Sequence, residues 1–157
     1  MITRENHQET VNKTTNGVYV IGSTNGKTIN GMTSAWLTQI SFNPLLIAVS
    51  IDINHYTCEL IKRGNVFSVN VLYDDQKEIA KHFGSKSGKT FNKFSSIDYT
   101  FHSTGAPILK DCLGYLECKV IKTLDIANRT LFIGKVVESK IIKYGVNPLI
   151  YNYNDYF

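Results

Sequence analysis

No stretch of this chain is apolar for long enough to span a bilayer. The longest such run, Pro44 to Ile53, falls far short of a membrane helix and already contains Asp52. The first fifteen residues lack the apolar centre of a secretory signal, so a cytoplasmic protein is expected. Cysteine is scarce and odd in number: Cys58, Cys112 and Cys118 form no C-x-x-C pair, which argues against a disulfide framework, a zinc ribbon or a four-cysteine iron site. Cys118 shares a strand face with Leu116 and Val120 and reads as a buried structural thiol. The four histidines, His7, His55, His82 and His102, stand apart with no i, i+4 pair, and none makes a metal site. Neither G-x-G-x-x-G nor a phosphate-binding G-x-x-x-x-G-K-[ST] loop occurs, and no nucleophile stands with an evident base. Asp74-Asp75 serves better as a helix start than as a carboxylate dyad.

What is present is an aromatic-rich, strand-rich chain of one-domain size. Its 157 residues include nine tyrosines and eight phenylalanines, a composition that favours strands over helices. Residues 1–15 read as a polar N-terminal arm, and residues 16–157 as a single domain without repeat or linker. Val18-Tyr19-Val20-Ile21 is the first strand, Asn25-Gly26 a hairpin turn, and Thr28 onward the return. Leu45 to Ile51 is an almost continuous apolar strand expected to be covered on both faces. Thr57 is placed to cap a short helix that Gly64 ends, and Val66 to Leu72 forms another strand. Asp75-x-x-Glu78 resembles a capping box opening a helix from Gln76 to Phe83. A short strand follows near Tyr99 to His102. Two long strands, Leu113 to Leu124 and Thr130 to Lys143, close the domain, with Gly134 as a candidate bulge. Six or seven strands joined without regular βαβ alternation predict a mainly β, antiparallel, Greek-key-like barrel with two or three short helices.

Two stretches carry the chemistry. Asn30 to Gln39 is built from short side chains, among them Gly31, Thr33, Ser34 and Ala35, with Trp36 as the only tryptophan. Such a wall lets a flat heterocycle approach backbone N–H groups, although an ordinary barrel strand with a solvent face has the same composition. The second stretch follows the helix: between Lys81 and Ile97 stand four lysines and no acid. Ser85, Ser87 and Thr90 offer hydroxyls, Gly88 lets the backbone bend inward, and Lys86, Lys89 and Lys93 bring charge, a set suited to a terminal phosphate or to a solvated loop. The loop has no arginine, which weakens a nucleic-acid groove, and most aromatics alternate as core residues do. No nucleic acid and no membrane are expected among the partners. Together the residues point to a site that binds a flat, phosphate-bearing cofactor and leaves the chemistry to it.

The succession of motifs resembles the flavin reductase family, the FMN-binding split β-barrels. The residues that carry the likeness are Asn30-Gly31-Met32-Thr33-Ser34-Ala35, Ser41-Phe42-Asn43-Pro44, Phe67-Ser68-Val69-Asn70-Val71-Leu72, Phe83-Gly84, Ser87-Gly88-Lys89 with Lys93-Phe94, and Leu116-Glu117-Cys118 ahead of Leu131-Phe132-Ile133-Gly134-Lys135-Val136. Their order runs from Gly17 to Lys143 and is closest to the flavin domain that some members carry fused to rubredoxin, and to stand-alone ferric reductases. The resemblance implies a homodimer with FMN near the subunit interface and NAD(P)H as electron donor, the acceptor being free flavin, ferric iron or a separate redox protein. It implies that Thr33, Ser34, Ala35 and Trp36 border the ring, with Ser50, Ile51 and Asp52 at the end of the next strand, and it counts Asn30 among the cofactor-binding residues. Thr57 then lies on the ribityl-phosphate side, and Ser85, Lys86, Ser87, Lys89 and Lys93 hold the phosphate.

One departure concerns the donor. Related sequences often place a histidine before the Leu-Phe-Ile-Gly strand, near the nicotinamide, where this chain has Arg129. A guanidinium pairs with phosphate in two-point fashion, so Arg129 is expected to favour a phosphorylated donor. The alternative to a reductase is an FMN-holding electron carrier that makes little use of NAD(P)H, its face blocked by the tail tyrosines Tyr151, Tyr153 and Tyr156.

Overall fold

The computed structural model describes residues 3–155. Nine strands occur among them: β1 (Tyr19–Thr24), β2 (Ile29–Ser34), β3 (Leu37–Phe42), β4 (Leu45–Asp52), β5 (Val66–Val71), β6 (Tyr99–Thr100), β7 (Ile108–Leu109), β8 (Gly114–Ile126) and β9 (Arg129–Ile141). Three helices interrupt them, α1 (Arg4–Val11), α2 (Tyr56–Gly64) and α3 (Lys77–Gly84). Seven strands form one antiparallel sheet in the order β2-β1-β5-β8-β9-β4-β3, and β6 pairs with β7 alone. The expected antiparallel barrel is the fold observed.

Closure of that sheet follows from connectivity. Its two edge strands, β2 and β3, are consecutive in the chain and separated only by Ala35 and Trp36. Two residues reach only about 7–10 Å, so the sheet must curl until its edges meet there. The edges meet at that corner and do not pair along their length, and this leaves the barrel split. The outer side of β2 is covered instead by α3, whose Ala80 carbonyl accepts from the Thr33 hydroxyl at 2.5 Å.

Two apolar clusters lie on either side of the sheet. One fills the barrel with Ile21, Val49, Ile51, Phe67, Val69, Cys118 and Phe132, plugged by Cys58 and Ile61 of α2. The other packs Val18, Val20 and Leu72 against Ala80 and Phe83 of α3 and Phe94 beyond it. All three cysteines are buried thiols, Cys118 as expected from the alternation around it.

Several local expectations give way to tertiary contacts. The polar arm contains α1, an exposed helix opened by a capping box between Thr3 and Asn6. Asp75 does not cap α3. Buried Gln76 holds that place, donating its side chain to the Asp111 carbonyl and accepting from the Tyr73 N–H, so tertiary tethering replaces the local cap. Thr57 does not cap α2 either: His55 is the N-cap residue and Asn65, in the left-handed region, ends the helix one residue past Gly64. β4 is covered on both faces only in its middle, since Leu45 is exposed while Ile47, Ala48 and Val49 are buried and burial alternates beyond them. The turn between the last two strands is also shorter than the sequence suggested, with β8 reaching Ile126 and β9 starting at Arg129.

Gly134 lies opposite a bulge rather than in one, because the extra residue, Ile121, belongs to β8. It is glycine for a packing reason. A Cβ there would stand 2.6 Å from the Phe67 ring and 2.7 Å from the Cys118 Cβ. Gly134→Ala is therefore expected to destabilise the barrel by about 1–3 kcal/mol through overpacking. Urea denaturation of both proteins checks this, and equal midpoints would show that the Phe67 ring moves aside freely.

Candidate functional site

The split beside β2 opens into a two-chambered cavity. The chambers, about 440 and 310 Å³, share Met32, Thr33, His55, Gly84 and Ser85. Each is of the size used by small-molecule sites.

The larger chamber has the wall read from the sequence. Thr33, Ser34, Ala35 and Trp36 all line it, joined by Arg129 from β9 and Tyr151 from the C-terminal segment. The short side chains have separate causes. A Cβ on Gly31 would meet the Phe83 ring at 2.8 Å, so that glycine makes room for α3 rather than for a ligand. Ser34 is buried and accepts from the Trp36 N–H, which fixes the corner. The Gly31 carbonyl points away from β1, and by the two-residue period of a strand the Thr33 backbone turns to that same unpaired edge.

The smaller chamber collects donors. Thr57, Ser85, Lys86, Ser87 and Lys93, expected on the ribityl-phosphate side, line it together with Asn30. Buried Asn30 donates to the Thr57 hydroxyl at 2.9 Å, and no protein acceptor among the described residues takes the Thr57 hydroxyl proton. Gly88 lies so close that a Cβ would fall 2.1 Å from Asn30 Oδ1, which seats the lysine loop against β2. Helix α2 begins at this chamber with no side-chain cap. The Cys58 N–H bonds to the His55 carbonyl, but those of Tyr56 and Thr57 have no protein partner among the described residues. Free N–H groups at a helix start, facing loop hydroxyls and a lysine, make an anion-binding arrangement.

Lys93 is a structural pin as well as a lining residue. Its Nζ donates to the Gly31 carbonyl at 2.9 Å and the Phe83 carbonyl at 2.7 Å, tying the unpaired edge of β2 to the end of α3. Burial lowers its pKa to about 8.

Four residues named from the sequence lie elsewhere. Ile51 points into the barrel core, as alternation along β4 requires, and is fully buried. Ser50 supports Arg129 through its hydroxyl and carbonyl. Asp52 accepts from Asn54 and Asn128 in the adjoining turns, and the Asn54 bonds lower its pKa, the backbone bond most of all. Lys89 turns outward, 3.6 Å from Glu59 of α2 and 5.8 Å from the centre of the Tyr56 ring. Tyr156 lies outside the described residues.

His55 is the lining residue that sequence reading passed over. It faces both chambers, and its pKa is lowered chiefly by desolvation; Asp52 opposes the shift, Arg129 and Lys93 reinforce it. Its place just before a helix start was the available signal. Lys81, Tyr151 and Asp155 also line the larger chamber, brought there by packing of α3 and the tail. Among the described residues, no three His, Cys, Asp or Glu side chains gather as a metal site.

Comparison with known proteins gives a consistent picture. The family model described as flavin reductase like domain matches residues 11–157. High molecular weight rubredoxin of Moorella thermoacetica is 35% identical over 141 residues, covering 88% of this chain and 61% of that protein. The chain thus spans about three fifths of that relative's length. A ferric-chelate reductase (NAD(P)H) of Archaeoglobus fulgidus is 28% identical, with 89% of this chain and 82% of the relative covered. Among solved structures, flavin reductase PheA2 in its native state superposes with a TM-score of 0.82 at 28% identity, covering 96% of this chain and 94% of that one.

The Lys93 pin yields a signed pH dependence. Its native pKa of about 8 lies below the ordinary 10.5, so between these values the unfolded chain binds more protons than the native one. Stability from this group therefore rises with pH across that window, by about 3 kcal/mol at most. Lys93→Met removes the linkage and leaves two carbonyls without their donor. The stability gap between wild type and variant should widen from pH 8 to pH 10.5 in urea titrations; a constant gap would show that the lysine is not desolvated.

Proposed function

The chain belongs to the flavin reductase like domain family, and on that premise we propose that it is an FMN-binding oxidoreductase that takes hydride from NAD(P)H and passes electrons to free flavin, ferric iron or a redox protein. The observation that carries this reading is the pairing of an apolar, short-walled chamber with a donor-lined one across shared residues. The first suits a flat ring with a polar rim; the second suits a phosphorylated tail. The unpaired Thr33 backbone, the unassigned Thr57 hydroxyl proton and the uncapped start of α2 are groups that a polar ligand would satisfy.

In this assignment Thr33, Ser34, Ala35 and Trp36 would hold the ring. Thr57, Ser85, Lys86, Ser87 and the N–H groups at the start of α2 hold the phosphate, while Asn30 and Lys93 fix the walls. Bound flavin supplies the two-electron chemistry. The protein supplies binding, orientation and the local field. His55, with its lowered pKa, favours the neutral state between the chambers and adds no positive charge there at neutral pH.

A dimer belongs to the same proposal. Strands β3, β4 and β8 expose Ile40, Phe42, Leu45, Ile121, Leu124 and Ile126, and Phe42 is 87% exposed. Exposed apolar side chains in this number fit a subunit contact. Sedimentation of the flavin-loaded protein should give twice the chain mass, and a monomer at micromolar concentration would remove this part of the proposal.

One observation favours the electron-carrier alternative: Tyr151 and Asp155 bring the C-terminal segment to the larger chamber. Anaerobic titration separates the two. A flavin spectrum that bleaches with NADH or NADPH supports the reductase, and a flavin spectrum indifferent to both supports the carrier.

The phosphate assignment has its own test. FMN should bind about tenfold to a hundredfold more tightly than riboflavin for each charge-assisted hydrogen bond to the phosphate. Lys86→Ala should narrow that gap, whereas Lys89→Ala should leave it nearly unchanged because Lys89 is paired with Glu59. Equal affinity of the wild type for FMN and riboflavin would mean that the lysine loop is only a solvated surface.

A further inference from the structure

Arg129 is held more firmly than any other cation facing the larger chamber. Its Nε donates to Ser50 Oγ and its Nη2 to the Ser50 carbonyl, both at 2.8 Å. Its guanidinium carbon lies 4.3 Å from the centre of the Trp36 ring. Two hydrogen bonds and a stacking contact fix the plane of the group before any ligand arrives. A guanidinium has five N–H donors. Only two are used here, and the other three have no hydrogen-bond partner among the described residues.

No acidic side chain among the described residues forms an ion pair with this group, although Asp52 lies near enough to act on it electrostatically. Lys81, the other basic side chain of the chamber, is ion-paired with Glu78 at 3.1 Å. Asp155 is paired with Lys77 at 3.1 Å. Asp52, opposite Arg129 in the β4–β9 ladder, spends its carboxylate on Asn54 and Asn128 and forms no ion pair with it. His55 has a lowered pKa and stays neutral at neutral pH.

We infer that the free edge of Arg129 docks the phosphate or carboxylate of the molecule that exchanges electrons at this site. This rests on the reading that the chamber beside Trp36 holds the flavin ring. It shifts the expected role of Arg129 from a general preference for a phosphorylated donor to a fixed anion contact beside the ring. Planar, two-point recognition is what a preorganised guanidinium offers and what a histidine or lysine at the same place does not. The anion has two sources, the phosphate of a nicotinamide nucleotide or the carboxylates of an acceptor such as a ferric chelate.

Trp36 makes the test direct. It is the only tryptophan in the chain, it is 53% exposed and it is in contact with Arg129. The flavin-loaded protein is titrated with nicotinamide mononucleotide, with citrate and with uncharged nicotinamide while Trp36 emission is followed. At least one anionic probe should bind about tenfold or more tightly than nicotinamide, in keeping with a charge-assisted contact. Arg129→Gln should abolish that advantage and leave nicotinamide unaffected, and Arg129→Lys should restore it only in part. Preference for the mononucleotide assigns the contact to the donor, and preference for citrate assigns it to the acceptor. Equal binding of charged and uncharged probes, or no effect of Arg129→Gln on the anions in a folded variant, overturns the inference. FMN retention in the same samples reports on the underlying reading. Protein that binds FMN but shows no Arg129-dependent anion binding refutes this inference alone, and protein that does not bind FMN refutes the proposed function.

Discussion

The structure depends on a strand edge that is not paired. β2 and β3 are neighbours in the chain and occupy opposite ends of a seven-stranded sheet, so the sheet curls until they meet at Ala35 and Trp36. Had they paired along their length, the barrel would be closed and the polar groups of β2 consumed. Because they diverge, Gly31 and Thr33 present backbone groups to a cleft, and each such group needs a partner if it is to be buried. Lys93 supplies one, the Thr33 side chain reaches α3, and the rest of the edge is available to a ligand. The cavity exists because the hydrogen-bond ladder stops.

Charge within that cavity is distributed by the same packing. Lys93, nearly buried and bound to two carbonyls, acts mainly as a donor to the protein. Lys89 answers to Glu59 of α2, and Lys81 to Glu78 of its own helix. Cationic groups with capacity for a ligand are thus Lys86 at one end and Arg129 at the other, with the uncapped start of α2 adding its N–H groups beside Lys86. A row of lysines in the sequence becomes one structural pin, two surface ion pairs and one ligand-facing side chain.

Alternation and turn chemistry were legible without coordinates. The Asn25-Gly26 hairpin, the apolar β4 strand, the buried Cys118 and the two long final strands follow from period-two patterning, Gly in a turn and β-branched runs, all local properties of the chain. The helix starts were misread where a side chain had two uses. Thr57 turns inward to Asn30 instead of capping α2, and Gln76 is tethered to Asp111 and Tyr73 where Asp75 had the better local credentials. A long-range partner that satisfies a buried polar group outweighs a cap worth about 1 kcal/mol.

By itself the sequence determined that the chain forms an antiparallel barrel, and it singled out the two stretches that line the cavity. Short side chains on one strand and an acid-free lysine loop are properties of residues, not of contacts. Only the tertiary structure decided what each of those residues does. Gly31 makes room for Phe83, Gly88 for Asn30 and Gly134 for Phe67, and three glycines of similar appearance in the sequence are thus explained by three different neighbours. Arg129 gains its fixed plane from Ser50 and Trp36, which lie 79 and 93 positions earlier in the chain. Local pattern encodes which face of a strand is buried, because that depends on a two-residue period. The partner of a given side chain depends on how distant strands are brought together, and no local period records that.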